Sequence, residues 1–277
     1  MSLISRCRAA VLTVAIALTG CAAPSHPTAV LDADDVIPKA HVPTPPPPPA
    51  TKPAPRAERI GTSVQGRPIE MRVFGPPHTA GPILIIGGIH GSEPTSVTVA
   101  ERLAGVLESD AAARGGRTVA VIAVANPDGC AAGTRTNASG VDVNRNFPAA
   151  NWRPLRRKLY NTGPAPLSEP ESRALHAVVE RLKPSLIVSI HSIDDGKQCN
   201  NYDGPARAVA ELMARNNGYP VTDSMGYPTP GSLGSWAGID RKIQIVTLEL
   251  PRKQPGDAAW ETNRAALLAA IREAATD

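Results

Sequence analysis

Four continuous apolar runs set the strongest limit on how this chain of 277 residues can fold: Pro82 to Ile86, Thr118 to Ala125, Ser185 to Ile190 and Lys242 to Leu248. Each is short and unbroken rather than alternating, the pattern of a strand covered on both faces. Helical patterns lie between them. Pro94 suits a first helical turn, after which Val99, Leu103, Val106 and Leu107 mark one apolar face. Ser168-Glu169-Pro170-Glu171 has the form of a capping box; Leu175, Val178, Val179 and Leu182 then share a face, and Pro184 ends the helix. Further helices fit Pro205 to Asn217, with Gly218 as the C-cap, and Asp257 to Ala275. Strands alternating with helices predict an α/β fold, a single domain with a mixed, largely parallel central sheet and helices on both faces.

The ionisable residues fall at the strand ends. His90 and Glu93 follow the first run, Asn126-Pro127-Asp128-Gly129 the second, His191 the third, and Glu249 closes the fourth. In open α/β sheets the ligand crevice lies beyond the carboxyl ends of the strands, so these residues converge on one edge. Two histidines and a carboxylate, with water as a fourth ligand, form a recurrent catalytic zinc set. The plainer alternative for His90 and Glu93 is a hydrogen-bonded loop with Glu93 at a helix N-terminus. His78, in a Pro/Gly loop, and His176, inside a helix, are not expected to be ligands. Gly87, Gly88 and Gly91 would let the backbone turn sharply enough for His90 and Glu93 to face one ion.

The N-terminus is read separately. Arg6 and Arg8 precede an apolar stretch, Ala9 to Leu18, that is too short to span a bilayer as a helix, so residues 1–20 are expected to be a secretory signal. Residues 21–57 are rich in Pro and Ala, with five consecutive prolines at Pro45 to Pro49, and cannot bury enough surface to fold. Their Pro43 to Pro55 part would extend roughly 40 Å at about 3.1 Å per residue, a stiff spacer in front of a catalytic domain at 58–277. His26 and His41 lie in this segment and are not read as ligands.

Composition removes some classes of partner. The formal net charge is +4, aromatic residues are 3% of the chain, and no Lys/Arg run is interleaved with them, so nucleic acid is not an expected partner. Of the four cysteines, Cys130 and Cys199 lie in the region read as folded; a disulfide between them and two separate buried thiols both fit the sequence.

Several motifs, "GGIHGSEP", "NPDG", "GVDVNRNFP", "SIHS", "YPTPGSLGSW" and "TLELP", together resemble the zinc metallocarboxypeptidase family over nearly all of Arg59 to Asp277, and within it the murein peptide amidase branch. That resemblance implies an enzyme with one zinc ion held by His90, Glu93 and His191. It implies Glu249 as general base, Arg135 in "GTRTN" as the group that polarises the scissile carbonyl, and Asn144 with Arg145 as the grip on a terminal carboxylate. Tyr227, nine residues before Trp236, corresponds to a tyrosine that caps the substrate. Trp236 and Phe147 are read as core, and Asp128 and Asp142 as turn carboxylates that orient a histidine or arginine. The branch acts on peptidoglycan-derived peptides at the γ-D-glutamyl to meso-diaminopimelate bond. "LTGC" resembles a bacterial lipobox, implying lipidation at Cys21 and a tether to the membrane of the cell envelope; Ala22 after it favours the outer membrane of a Gram-negative cell. A monomer is expected. Three other readings stay open at this stage: a general metallocarboxypeptidase, an aspartoacylase-like deacylase, and an inactive wall-binding lipoprotein.

Overall fold

A computed structural model describes residues 56–76, 81–157 and 160–273. The expected signal sequence, Cys21, the Pro-rich segment up to Pro55, His26, His41 and His78 lie outside the described residues, as do the last two residues of the helix expected to end at Ala275. Arg56 and Ala57, read as the end of the Pro-rich segment, instead pair with Val73 and Arg72 as part of the first strand. The strands in chain order are β1 (Arg56–Thr62), β2 (Pro68–Phe74), β3 (Ile83–Ile86), β4 (Val119–Ile122), β5 (Arg156–Arg157), β6 (Tyr160–Asn161), β7 (Leu186–Ile193), β8 (Cys199–Asp203), β9 (Val221–Thr222) and β10 (Gln244–Pro251). The helices are α1 (Pro94–Ser109), α2 (Pro127–Ala132), α3 (Pro170–Leu182), α4 (Arg207–Asn217) and α5 (Gly256–Glu273).

Eight strands form one mixed sheet in the order β1-β2-β4-β3-β7-β10-β8-β9, and β5 pairs with β6 in a separate two-stranded ribbon. The four apolar runs are its centre: β4, β3, β7 and β10 are neighbours and parallel. Antiparallel β2 and β8 flank them. All four residues of β3 are fully buried, which explains its unbroken apolar sequence.

Alternation along these strands builds two cores. Ile83 and Ile85 of β3 point to one face with Val188, Ile190, Val246 and Leu248, where α1, α4 and α5 pack through Leu103, Met213 and Leu267. Leu84 and Ile86 point to the other with Ile187 and Ile245, where α3 contributes Leu175 and Val178. A π-helical turn, Gly234–Asp240, lies on this second face and contributes Trp236, which stacks between Phe147 and His176. His176 is thus a packing residue.

One local expectation is corrected. The capping box is not formed: the N-cap of α3 is Glu169, with no side-chain cap, and the Ser168 hydroxyl donates to the Glu169 carboxylate. Glu171 is instead buried and accepts from the Val64 N–H and from the Asn137 side-chain amide. Asp128 opens α2, where it accepts from Ser63, from the Gln65 N–H and from Arg67, and so holds an arginine, as expected, while securing the β1–β2 hairpin. Cys130 and Cys199 are free thiols, each pushed up to about 11 mainly by burial.

The turn from β3 into α1 depends on glycine twice. Gly88 has φ +62°, a left-handed conformation costly for residues with a side chain. At Gly91 a Cβ would lie 1.9 Å from the Gly129 carbonyl carbon, because the backbone after β3 rests directly on that of α2. Gly91→Ala is expected to cost on the order of 3 kcal/mol by overpacking against backbone. At roughly 2–4 °C per kcal/mol, that lowers the melting temperature by about 6–12 °C. Gly105→Ala, in α1 with open space around it, is the control and raises stability slightly. Equal melting temperatures for Gly91→Ala and the parent would show that the two backbones do not touch as described.

Candidate metal centre and active-site cleft

The sheet register assembles the site. His191 on β7 is the direct parallel partner of Glu249 on β10, and both occupy the face that also carries Ile187 and Ile245. His90 and Glu93 arrive from the turn after β3, the strand next to β7. Glu93 stands at the N-cap of α1 but makes no capping bond; its carboxylate turns inward to the histidines.

His90 Nδ1 lies 2.9 Å from one Glu93 oxygen, His191 Nδ1 lies 3.1 Å from the other, and the two Nδ1 atoms are 3.1 Å apart. All three side chains are buried. Their outward nitrogens are tied down: His90 Nε2 meets Asp142 at 3.0 Å and His191 Nε2 meets Ser189 Oγ at 3.1 Å. Hydrogen bonds to the far ring nitrogens fix ring orientation and raise basicity at the near ones. Among the described residues these three are the group of donors close enough to hold a metal ion. Two imidazole nitrogens facing each other beside a carboxylate suit a cation better than they suit one another, and two nitrogens with one oxygen is a donor set zinc accepts.

Electrostatics favour charge separation here. Burial opposes a charged His90, yet Glu93 and Asp142 outweigh it and its pKa is raised. Burial would raise Glu93, but His90 and His191 hold it well below the usual carboxylate range. Asp142, also buried, is lowered by His90, Arg135 and Arg145, and so serves as their common counter-ion. Glu249 differs: burial raises its pKa, and the nearby Glu93 charge adds to that. One of its oxygens, Oε2, is buried with no hydrogen-bond partner.

The residues expected at the site line a single cleft of about 540 Å³, a usual size for a small-ligand pocket. Arg135 is held there by Asp142 at 2.9 Å and reaches Glu93 at 3.4 Å. Asn144 bridges two elements, with Oδ1 accepting from the Leu233 N–H and Nδ2 lying 3.4 Å from His191 Nε2. Arg145 is buried, donates to the Asn144 carbonyl, and lies over the Tyr160 ring at 5.6 Å; its Nε has no partner. Tyr227 is 42% exposed and lines the cleft, and burial of its hydroxyl raises its pKa.

Some participants were not legible in the sequence. The Ser192 N–H donates to Glu93 Oε2, a backbone contact that no side-chain pattern announces. Tyr160 supports Arg145 from a strand only two residues long. Asn201, Asp203 and Gly234 line the cleft from β8 and the π-helical turn, neither of which resembles a strand or a helix in sequence.

The zinc carboxypeptidase family profile matches residues 53–198. The murein peptide amidase A of Escherichia coli strain K12 is 35% identical over 209 residues, covering 71% of this chain and 82% of that protein. The murein peptide amidase A of Vibrio campbellii is 32% identical over 181 residues, covering 61% of this chain and 68% of its own. Among solved structures, a murein-tripeptide amidase of Escherichia coli O157 superposes with a TM-score of 0.65 at 32% identity, covering 80% of this chain and 94% of that one. Bovine thrombin-activatable fibrinolysis inhibitor superposes at 0.68 with 19% identity, covering 79% of this chain and 88% of that one, a likeness of fold alone. With the profile across its first strands and both histidines, and a relative matched over most of its length, the chain belongs to the zinc carboxypeptidase family and is a hydrolytic enzyme of that kind, for which the family implies one zinc ion.

Proposed function

We propose that this enzyme hydrolyses the γ-D-glutamyl to meso-diaminopimelate bond of peptidoglycan-derived peptides, releasing the C-terminal residue. The observation that carries the reading is a pair of buried polar atoms in one cleft without partners, Glu249 Oε2 and Arg145 Nε. Buried groups of this kind are normally satisfied, and a bound substrate with a reacting water would satisfy both. The murein substrate is taken from the relatives at 35% and 32% identity.

His90, Glu93 and His191 would hold the zinc ion, which when bound lowers the pKa of water to about 7 and polarises a carbonyl. Glu249, raised in pKa by burial, accepts the proton of the attacking water and returns it to the leaving amine. Arg135, anchored by Asp142, faces the oxyanion as a fixed cation. Arg145, with Asn144 beside it, binds the terminal carboxylate through its planar guanidinium and so sets which bond meets Glu249. Tyr227 closes over the substrate from the mouth of the cleft. Asp142 orients His90 and Arg135 together and touches no substrate.

Digesting defined muropeptides and weighing the products tests the whole reading. Tripeptide should lose diaminopimelate, chelation should stop the reaction, and zinc should restore it. Glu249→Gln should retain zinc while turnover falls on the order of 100 to 10,000-fold. Activity confined to simple acyl dipeptides would favour a general metallocarboxypeptidase, and undiminished turnover in Glu249→Gln would remove that residue as the base.

Arg145→Ala should weaken binding of substrates with a free terminal carboxylate by about 10 to 150-fold, the worth of hydrogen bonds to a charged group. Terminal amides should be far less affected. An equal loss on acid and amide would refute the carboxylate role.

The location belongs to the same proposal and rests on sequence: lipidation at Cys21 would tether the enzyme to the cell envelope, with residues 21–57 as spacer and the peptidoglycan within reach. The full-length chain should partition into detergent, and Cys21→Ser should move it to the aqueous phase. Identical partitioning of the two would mean that no lipid is attached there.

A further inference from the structure

The cleft carries a guanidinium that the reaction described above leaves unused. Arg252 follows β10 and lines the cleft. Its Nη2 donates to the Ser192 carbonyl at 3.4 Å, its Nε lies 3.6 Å from Asp194 Oδ1, and neither contact engages Nη1. Lys197 also lines the cleft and reaches the same Asp194 carboxylate at 3.6 Å, so at this end two cations share one anion. The Arg252 side chain is 45% exposed, which leaves it oriented by these contacts and still open to a ligand.

Register places Arg252 on the side of the site away from the carboxylate grip. Along β10, Ile245, Thr247 and Glu249 face Asp203, Asn201 and Cys199 of β8 in turn. The grip lies toward the Asp203 end: Asn144 accepts from the Leu233 N–H, and Leu233 adjoins Gly234, where a Cβ would lie 2.2 Å from Asp203 Oδ2. Asp223 belongs to that end too, because it follows Thr222, the partner of Asn201. Arg252 lies in the other direction, three residues beyond Glu249, and its backbone N–H donates to the carbonyl of Ile193, two residues past His191. A peptide whose terminal carboxylate meets Arg145 therefore brings its scissile bond to His191 and Glu249 and its acyl residue toward Arg252.

We propose that Arg252 is a specificity-determining residue that binds the α-carboxylate of a γ-linked glutamyl residue on the acyl side of the scissile bond. The inference rests on the murein substrate proposed above and on the chemistry of its linkage. A γ-glutamyl bond is made by the side-chain carboxyl, which leaves the α-carboxylate free four bonds from the scissile carbon, roughly 5 Å in zigzag at about 1.5 Å per bond. Ser192, which the guanidinium touches, adjoins the candidate metal ligand His191, and neighbouring Cα atoms are about 3.8 Å apart, a span of the same order. An α-linked acyl residue has its α-carboxyl in the scissile bond itself and offers no such charge. The planar fork of arginine suits a carboxylate, so Arg252 would read the type of linkage, while Arg145 reads the peptide end.

The test uses the whole zinc-loaded enzyme and two substrates: L-alanyl-γ-D-glutamyl-diaminopimelate, and the same tripeptide with the glutamyl α-carboxylate converted to a carboxamide, which keeps the shape and removes the charge. The wild-type enzyme should show kcat/KM about 10-fold or more higher for the carboxylate form, the lower end of the worth of hydrogen bonds to a charged group because Arg252 is partly solvated. Arg252→Ala should lose that factor on the carboxylate form alone and bring the ratio near unity, and Lys197→Met should leave the ratio unchanged. Arg252→Lys, which keeps the charge and loses the fork, should retain part of the preference, and it serves where the alanine variant does not fold. A wild-type enzyme that cuts both forms equally leaves the murein reading standing and overturns the role of Arg252 without any variant. So does an unchanged ratio in the Arg252 variants, or a preference that disappears in Lys197→Met. Cleavage of neither form by an enzyme that cuts α-linked peptides refutes the murein reading and this proposal together.

Discussion

A single carboxylate holds the centre together. Glu93 spans two histidines, His90 in the turn after β3 and His191 on the neighbouring β7, 2.9 Å from one and 3.1 Å from the other, and takes a third bond from the Ser192 backbone. Burying a carboxylate is costly unless charge and hydrogen bonds compensate it, and here both do. The same contacts cross-link the turn after β3 to the end of β7, so the donors for a cation and the junction between two strands are one structure. Asp142 repeats the device one layer out, joining His90 to Arg135 from beneath.

The rest of the site follows from parallel register. His191 and Glu249 are side by side because β7 and β10 pair at those residues, and they face the same way because the side-chain period of a strand is two. A slip of one residue in β10 would move Glu249 into the core beneath α1 and α5 and bring Leu248 or Leu250 to the cleft. The apolar residues that flank Glu249 thus hold its position as firmly as any hydrogen bond: Leu248 and Leu250 cannot face water, so Glu249 must face the cleft.

How much of this was legible in the sequence depends on how each element earns its burial. β3, β4, β7 and β10 are buried on both faces and announce themselves as apolar runs, and the residues after them, His90, Glu93, His191 and Glu249, could be placed at one edge from that alone. β1 and β2 carry exposed polar residues on an outer hairpin, and β8, CNNYD, turns Asn201 and Asp203 to a polar cleft while Tyr202 packs against the core. β1 and β8 show no apolar pattern; β2 alternates Ile69, Met71 and Val73 with Glu70 and Arg72, a period of two that differs from the unbroken runs of the central strands. The π-helical turn was invisible for a related reason: its glycines serve the close approach to Asp203, not local propensity. The capping box failed because Glu171 is drawn into a buried network with Asn137 and Val64, a tertiary demand that outweighs a local one.

The pairing of β8 with β10 makes the cleft floor a graduated surface. Only every second residue of β8 faces the cleft, so the depth at which a side chain can stand changes in increments of about 6.6 Å and nowhere between. Side chains that line the cleft from this strand therefore stand at depths fixed by register rather than by loop conformation.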